Sequence, residues 1–157
     1  MTIQIREVSV EDRAYIAGFF DGEGCISSSV TRRGYFIINV VITNTNKAIL
    51  QFVQSRFGGT INSNYDPRKT SRPCYMLRLG VDDAPFFVNT LVGIAKIKKR
   101  QLELASIYYS MRASAKQHEK EDYYFIDKEL KELNKRGKGR DLMRTGRPEL
   151  PNAKPIF

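Results

Sequence analysis

The fold is decided by nine residues, which read Ile16-Ala17-Gly18-Phe19-Phe20-Asp21-Gly22-Glu23-Gly24. They continue a predicted helix that begins at Val10, directly after Ser9, a favourable N-cap residue. Apolar or small side chains occupy every position of this helix from Ala14 to Phe20. We therefore expect most sides of the helix to be buried. Two carboxylates then stand at its end, separated by one glycine.

The segments after this helix alternate between hairpins and helices. A change to a period of two after Gly24 predicts strands at Cys25–Thr31 and Tyr35–Thr43. The remaining predicted elements are a helix at Asn46–Phe57, a second hairpin at Thr60–Tyr65 and Cys74–Leu79, and helices at Ala84–Leu91, Lys98–Met111 and Asp122–Lys135. This order predicts an α+β fold in which helices cover one face of a four-stranded antiparallel sheet. We expect residues 1–136 to form the domain and residues 137–157, which are basic and rich in Gly and Pro, to form a tail.

The composition points to an anionic partner. The formal net charge is +9, which favours nucleic acid or an anionic membrane surface. We expect no membrane association, because the sequence has no apolar run of about 18 residues and no basic amphipathic helix with aromatic anchors. Two cysteines, Cys25 and Cys74, are too few for a disulfide framework. They indicate a reducing intracellular compartment, either the cytoplasm of a prokaryote or an organelle.

The nonapeptide resembles the signature of the LAGLIDADG homing endonucleases. Four positions match that signature letter for letter: Ala17, Gly18, Asp21 and Gly24. Apolar substitutions occupy three positions, and Gly22 and Glu23 stand where the signature has Ala and Asp. The resemblance extends over about residues 10–115. It implies a saddle-shaped sheet that binds double-stranded DNA. Because the sequence has one copy of the motif, it also implies a homodimer.

The resemblance assigns a metal ion to the end of the motif. Glu23 is the implied metal ligand, with the backbone carbonyl of Gly22 as a further oxygen donor. Mg²⁺ is the expected ion, Mn²⁺ or Ca²⁺ could replace it in binding, and no small-molecule cofactor is expected. Carboxylates suit hard divalent ions, which activate water and stabilise the leaving oxygen in phosphodiester hydrolysis. The acidic residues alone fit equally well with a helix that simply ends in a turn.

The same resemblance places the motif helix in the dimer contact. In the family this helix packs against its counterpart across a two-fold axis. The residues predicted to make that contact are Ala14, Ala17, Gly18 and Asp21.

A dense basic run precedes the fourth predicted helix. It consists of Lys96, Lys98, Lys99 and Arg100. Such runs are usually only solvated. Cations oppose the dipole of a helix N-terminus, however, and a phosphate partner would relieve that conflict. The resemblance gives Lys98 a catalytic role, in which it supports the water network of the active site.

A polar amide at the end of the second strand is the third residue with an implied catalytic role. By resemblance, Asn44 orders water near the scissile phosphate, although an N-cap of the next helix would also account for it. The family commonly has a basic residue about one helical turn later. This chain has Ala48 there, and whether Lys47 substitutes for it is open.

Alternation along the strands predicts the DNA-binding face. If Phe36, Ile38, Val40 and Ile42 face the core, the opposite face carries hydroxyl, amide, basic and apolar groups suited to the major groove. Its predicted members are Ser27, Ser29, Thr31, Arg33, Tyr35, Ile37, Asn39, Val41, Asn62, Asn64, Met76 and Arg78, with Arg68, Lys69 and Arg72 in the loop of the second hairpin. Its three apolar members argue against a merely solvated face.

We therefore predict a metal-dependent, site-specific endonuclease. As a homodimer it would cleave both strands of a long pseudo-palindromic target of roughly 20 base pairs. The alternative is a nucleic-acid binder that does not cleave, such as an RNA maturase or a regulator on the same scaffold. Asp21, Glu23 and Lys98 favour cleavage, whereas Ala48 favours the alternative.

Overall fold

The computed structural model describes residues 6–63, 72–114 and 121–135. Its elements are α1 (Val10–Glu23), β1 (Gly24–Val30), β2 (Phe36–Asn44), α2 (Lys47–Phe57), β3 (Thr60–Ser63), β4 (Tyr75–Leu79), α3 (Ala84–Leu91), α4 (Lys99–Ser114), a single 3₁₀ turn (Glu121–Tyr123) and α5 (Tyr124–Leu133). This order confirms the predicted α+β fold. Asn64, Arg68, Lys69 and the basic tail lie outside the described residues. Among the helices described, none has the length and apolar character needed to cross a membrane.

The sheet joins its two hairpins through their inner strands. The strand order is β1-β2-β4-β3, and each neighbouring pair is antiparallel. Val41 of β2 lies opposite both Cys25 of β1 and Arg78 of β4. Arg78 in turn lies opposite Thr60 of β3. One continuous surface therefore runs across all four strands.

The core lies between the helices and one face of the sheet. The four predicted core residues of β2, Phe36, Ile38, Val40 and Ile42, are all buried, whereas the residues between them are only partly covered. Phe36 stacks on Tyr123, with 5.2 Å between ring centroids. Tyr108 of α4 donates a hydrogen bond from its hydroxyl to the carbonyl of Phe36. The helices thus cover one side of the sheet and leave the other side open.

Helix α1 is buried on one side only. Ile16, Ala17, Phe20 and Asp21 are buried. Ala14 and Gly18 are exposed, and Tyr15 is 56% exposed. The expectation that most sides of this helix are buried is therefore wrong for a single chain. An apolar, small-residue face is left without cover.

The chain turns from α1 into β1 at Gly24, and this position has no room for a side chain. A Cβ at Gly24 would overlap the ring of Phe20, which is fully buried. We expect Gly24→Ala to lower the free energy of unfolding by about 3 kcal/mol, the upper end for overpacked cores, as measured by urea denaturation. Gly93→Ala is the matched control, because nothing lies within 4 Å of a Cβ there. Equal losses in the two variants would contradict the steric argument.

Candidate active site and DNA-binding face

The carboxylate of Glu23 stands at the exposed end of α1. Glu23 is the last residue of the helix, and both it and Gly22 are exposed. The part of the chain that the structure describes contains no group of three or more His, Cys, Asp or Glu residues able to hold a metal. One chain therefore offers a single carboxylate and backbone oxygens. Mg²⁺ is often bound in this way, by one or two carboxylates, with water and substrate phosphates as the other ligands.

Asp21 is committed to contacts within its own chain. Its side chain is buried, and its two oxygens accept hydrogen bonds from the backbone N–H groups of Lys96, at 2.7 Å, and Lys98, at 2.8 Å. Ala17 also faces the interior. Only Ala14 and Gly18, of the four residues predicted for the dimer contact, lie on the exposed side. Asp21 and Ala17 are therefore interior within a single chain, and their part in a dimer contact stays a prediction.

Lys98 lies against the motif helix. Its Nζ donates to the carbonyl oxygen of Asp21 at 2.6 Å. Helix α4 begins one residue later, at Lys99. The expected conflict between Lys98 and the dipole of its own helix is thus resolved without phosphate, because the ammonium reaches the C-terminal turn of α1, where the dipole favours a cation.

The ammonium of Lys98 also influences the thiol of Cys25. Partial desolvation of the thiol raises the pKa of Cys25, and the positive charge of Lys98 lowers that pKa to a smaller extent. Cys25 follows Glu23 by two residues and begins the exposed face of β1. The structure thus brings the end of α1, Lys98 and the start of this face together.

The rest of the basic run behaves differently. Arg100 forms hydrogen bonds of 2.6 and 3.0 Å with Glu129 of α5 and one of 3.2 Å with Glu103. It therefore links α4 to α5. Lys99 has only a 4.0 Å contact with Glu103, and its side chain is 64% exposed.

Asn44 supports the turn between β2 and α2. Its side-chain oxygen accepts a hydrogen bond from the backbone N–H of Asn46 at 2.8 Å. Asn46 is the N-cap of α2, through a bond from the N–H of Ala48, so the capping role expected for Asn44 belongs to Asn46. The catalytic role of Asn44 stays a prediction. Lys47, the candidate substitute for the missing basic residue, lies 5.7 Å from the ring centroid of Tyr75, a distance typical of a cation–π contact.

The strand register confirms the composition of the open sheet face. Ser27 lies opposite Asn39, and Ser29 lies opposite Ile37. Asn39 donates from its side-chain nitrogen to the hydroxyl of Ser29 at 2.9 Å. The described residues that share the predicted face are Ser27, Ser29, Ile37, Asn39, Val41, Asn62, Met76 and Arg78.

Three residues of this face are additional to those predicted. Cys25, Thr43 and Thr60 lie in register with Val41, Met76 and Arg78 respectively. The same alternation, continued to the strand ends, identifies them. Together with the predicted members they form the sheet face, which has hydroxyl, amide, thioether and guanidinium groups.

The predicted residues at the hairpin ends lie beyond the paired part of the sheet. Thr31 accepts a hydrogen bond from the N–H of Tyr35 on its hydroxyl at 3.1 Å. Arg33, Tyr35 and Arg72 are exposed. They flank the sheet face and are not among its paired residues.

The chain belongs to the family of the LAGLIDADG-like domain. The family model matches residues 11–91, just over half of the chain. This span contains α1 from its second residue onward, the four strands, and the helices α2 and α3. A comparison with curated protein sequences gives no match.

Two solved structures of homing endonucleases, I-TnaI and the meganuclease I-AabMI, share the fold. I-TnaI is 21% identical, with a TM-score of 0.56 over 85% of this chain and 94% of its own. The meganuclease I-AabMI, solved bound to uncleaved DNA, is 19% identical, with a TM-score of 0.54 over 65% and 37%. I-CvuI, in complex with the I-CreI target, is 20% identical, with a TM-score of 0.49 over 62% and 65%. The chain thus spans less than two thirds of the length of I-CvuI and of I-AabMI.

Proposed function

We propose that this protein is a Mg²⁺-dependent endonuclease that cleaves both strands of a specific DNA site as a homodimer. The observation that carries the proposal is the last turn of α1. The turn ends in the exposed carboxylate of Glu23, and its Asp21 carbonyl accepts a hydrogen bond from the ammonium of Lys98. A metal ligand and a fixed cation at one end of an open sheet face suit phosphodiester hydrolysis.

The residues divide the chemistry between them. Glu23 and the carbonyl of Gly22 would hold Mg²⁺, which supplies an activated water and stabilises charge on the leaving oxygen. Lys98 is positioned to stabilise negative charge that develops on the phosphate or on the attacking water. An ammonium has three N–H donors, and the bond to Asp21 uses one of them.

The sheet face provides the DNA-binding surface. Its amides and Arg78 suit the hydrogen-bonding edges of bases in the major groove, and Ile37, Val41 and Met76 suit thymine methyl groups. The formal charge of +9 favours binding to the phosphate backbone. Two such sheets arranged along the groove would cover roughly 20 base pairs, about two helical turns.

The exposed side of α1 supports the homodimer. A close helix contact needs small residues, and Ala14 and Gly18 are exposed on this side next to Tyr15. A Cβ at Gly18 would have no neighbour within 4 Å inside the same chain. A second copy placed there would also bring a second Glu23 carboxylate to the site, which a single chain lacks.

Substitution of Gly18 separates folding from dimerisation. We expect Gly18→Leu to weaken the dimer by about 100-fold or more, equivalent to roughly 3 kcal/mol, because the larger side chain holds the helices apart. The monomer should stay folded, since the position is open and leucine has a higher helix propensity than glycine. Sedimentation at a series of concentrations, with circular dichroism on the same samples, measures both. An unweakened dimer would place the interface elsewhere.

The proposal is tested with a randomised library of double-stranded DNA. The protein is incubated with the library and Mg²⁺, and the cut ends are sequenced. We expect a long, pseudo-palindromic consensus that is cut in both strands. The alternative, a nucleic-acid binder that does not cleave, is favoured by Ala48. It would enrich a consensus in a parallel binding selection and leave that consensus intact with either Mg²⁺ or Mn²⁺.

A further inference from the structure

The segment that carries Lys98 is wrapped around one buried carboxylate. The backbone N–H groups of Lys96 and Lys98 donate to the two separate oxygens of Asp21. Ile97, between them, has no such bond in the structure and is 54% exposed. The carboxylate thus fixes the backbone on both sides of one residue, directly before α4 begins.

Both oxygens of the buried Asp21 carboxylate are hydrogen-bonded by the chain. A buried carboxylate is stable only when its oxygens are hydrogen-bonded and its charge is compensated. The two N–H groups satisfy the oxygens through charge-assisted bonds. The ammonium of Lys98 returns to the backbone carbonyl of Asp21 at 2.6 Å, which places a positive charge on the same turn of α1. Asp21 therefore contacts both the backbone and the side chain of Lys98.

We propose that Asp21 is a positioning residue, which sets the location of the Lys98 ammonium relative to the Glu23 carboxylate. The inference rests on the proposed function of these two residues. Asp21 precedes Glu23 by two positions in the last turn of α1, so the two groups are held through one helical turn. Asp21 is buried and both of its carboxylate oxygens accept bonds from the Lys98 segment, so in this proposal it acts through Lys98.

The first test is amide hydrogen exchange measured by NMR on the whole protein without DNA. In the wild type, the amides of Lys96 and Lys98 should exchange at least about tenfold more slowly than in an unstructured chain. Asp21→Asn replaces one acceptor oxygen with a donor group, and it should remove this protection. Exchange of either wild-type amide at the unstructured rate would overturn the proposal, as would unchanged protection in a folded Asp21→Asn protein.

A matched control comes from the second buried carboxylate. Asp127 accepts a hydrogen bond from the hydroxyl of Ser28 and forms an ion pair with Lys131. Asp127→Asn makes the same chemical change at a similarly buried position that joins α5 to β1. It should leave the exchange of Lys96 and Lys98 as in the wild type. If this control also exposes the two amides, the loss in Asp21→Asn reflects general loosening and the proposal fails.

The second test is a double-mutant cycle of Asp21→Asn and Lys98→Met. Single-turnover cleavage is measured on the site recovered from the randomised library. Asp21→Asn alone should slow cleavage by about tenfold or more with little change in DNA affinity. It should cause no further loss in the Lys98→Met background, since residues that act through one another are not additive. Losses that multiply would show that Asp21 acts independently of Lys98, which overturns the proposal.

The two tests separate this inference from the proposed function. A wild-type protein that cuts no DNA would refute the proposed function, and with it the catalytic purpose assigned to Asp21. The exchange measurement would still decide whether Asp21 holds the Lys98 segment. A cleaving wild type with multiplicative losses would refute the inference alone.

Discussion

Glu23→Gln is expected to bind the target DNA as tightly as the wild type and to cleave it about 1,000-fold more slowly or worse, a loss of roughly 4 kcal/mol in transition-state stabilisation. Glutamine keeps the shape of the side chain and one oxygen, but it lacks the negative charge that attracts a divalent ion. Glu23 is exposed, so the substitution leaves the core unchanged. Gel-shift titration and single-turnover cleavage measure the two quantities separately.

Two controls make the Glu23 result specific. Glu121→Gln is the same chemical change at an exposed position outside α1 and the sheet, and it should cleave normally. Higher Mg²⁺ concentrations should recover part of the Glu23→Gln rate, because the remaining oxygen is still a ligand. Cleavage by Glu23→Gln at the wild-type rate would refute the metal assignment. A slow rate that does not respond to Mg²⁺ would make Glu23 a group other than a metal ligand.

Local periodicity was sufficient for the sheet and its two faces. The alternation of Phe36, Ile38, Val40 and Ile42 depends only on the pleat of a strand, and it separates buried from open positions correctly. The strand order β1-β2-β4-β3 could not be predicted from local alternation. It depends on which strand of the first hairpin pairs with which strand of the second. The alternation of residues within a strand does not predict that pairing.

The motif helix shows a second limit of sequence patterns. The residues of α1 from Ala14 to Phe20 are apolar or small on all sides of the helix. This pattern predicts that the helix is buried, but it does not indicate whether the same chain or a second copy packs against each side. The structure shows that one side packs on the same chain, through residues such as Phe20, and that Gly18 remains open. Composition is the same for an interior position and for a contact with a second copy, so only three-dimensional packing distinguishes them.

The role of Asp21 depends on partners far along the chain. Its carboxylate accepts hydrogen bonds from the backbone of Lys96 and Lys98, which lie 75 and 77 positions further along the chain. No local spacing can indicate such a bond. The same limit applies to Lys98. The sequence shows that Lys98 precedes α4, but it does not show that the side chain reaches the C-terminal end of α1.

Lys98→Met is expected to slow single-turnover cleavage by about 100-fold, with a much smaller change in DNA affinity. The ammonium lies 2.6 Å from a carbonyl in the last turn of α1, two residues before the proposed metal ligand. Charge on the phosphate oxygens and on the attacking water grows as the reaction proceeds, so a fixed cation stabilises the transition state more than the bound substrate. Methionine keeps the apolar stem and removes the charge.

The matched control for Lys98 is its neighbour Lys99. Its side chain is 64% exposed and has only a 4.0 Å contact with Glu103, whereas Arg100 is a poor control because it joins α4 to α5. Lys99→Met should weaken DNA binding slightly, lower its salt dependence by about one counterion and leave the cleavage rate at saturating protein unchanged. If Lys98→Met shows that same pattern, Lys98 is a DNA-docking residue. If Lys98→Met instead lowers the cleavage rate at saturating protein and retains DNA affinity, Lys98 has a catalytic role.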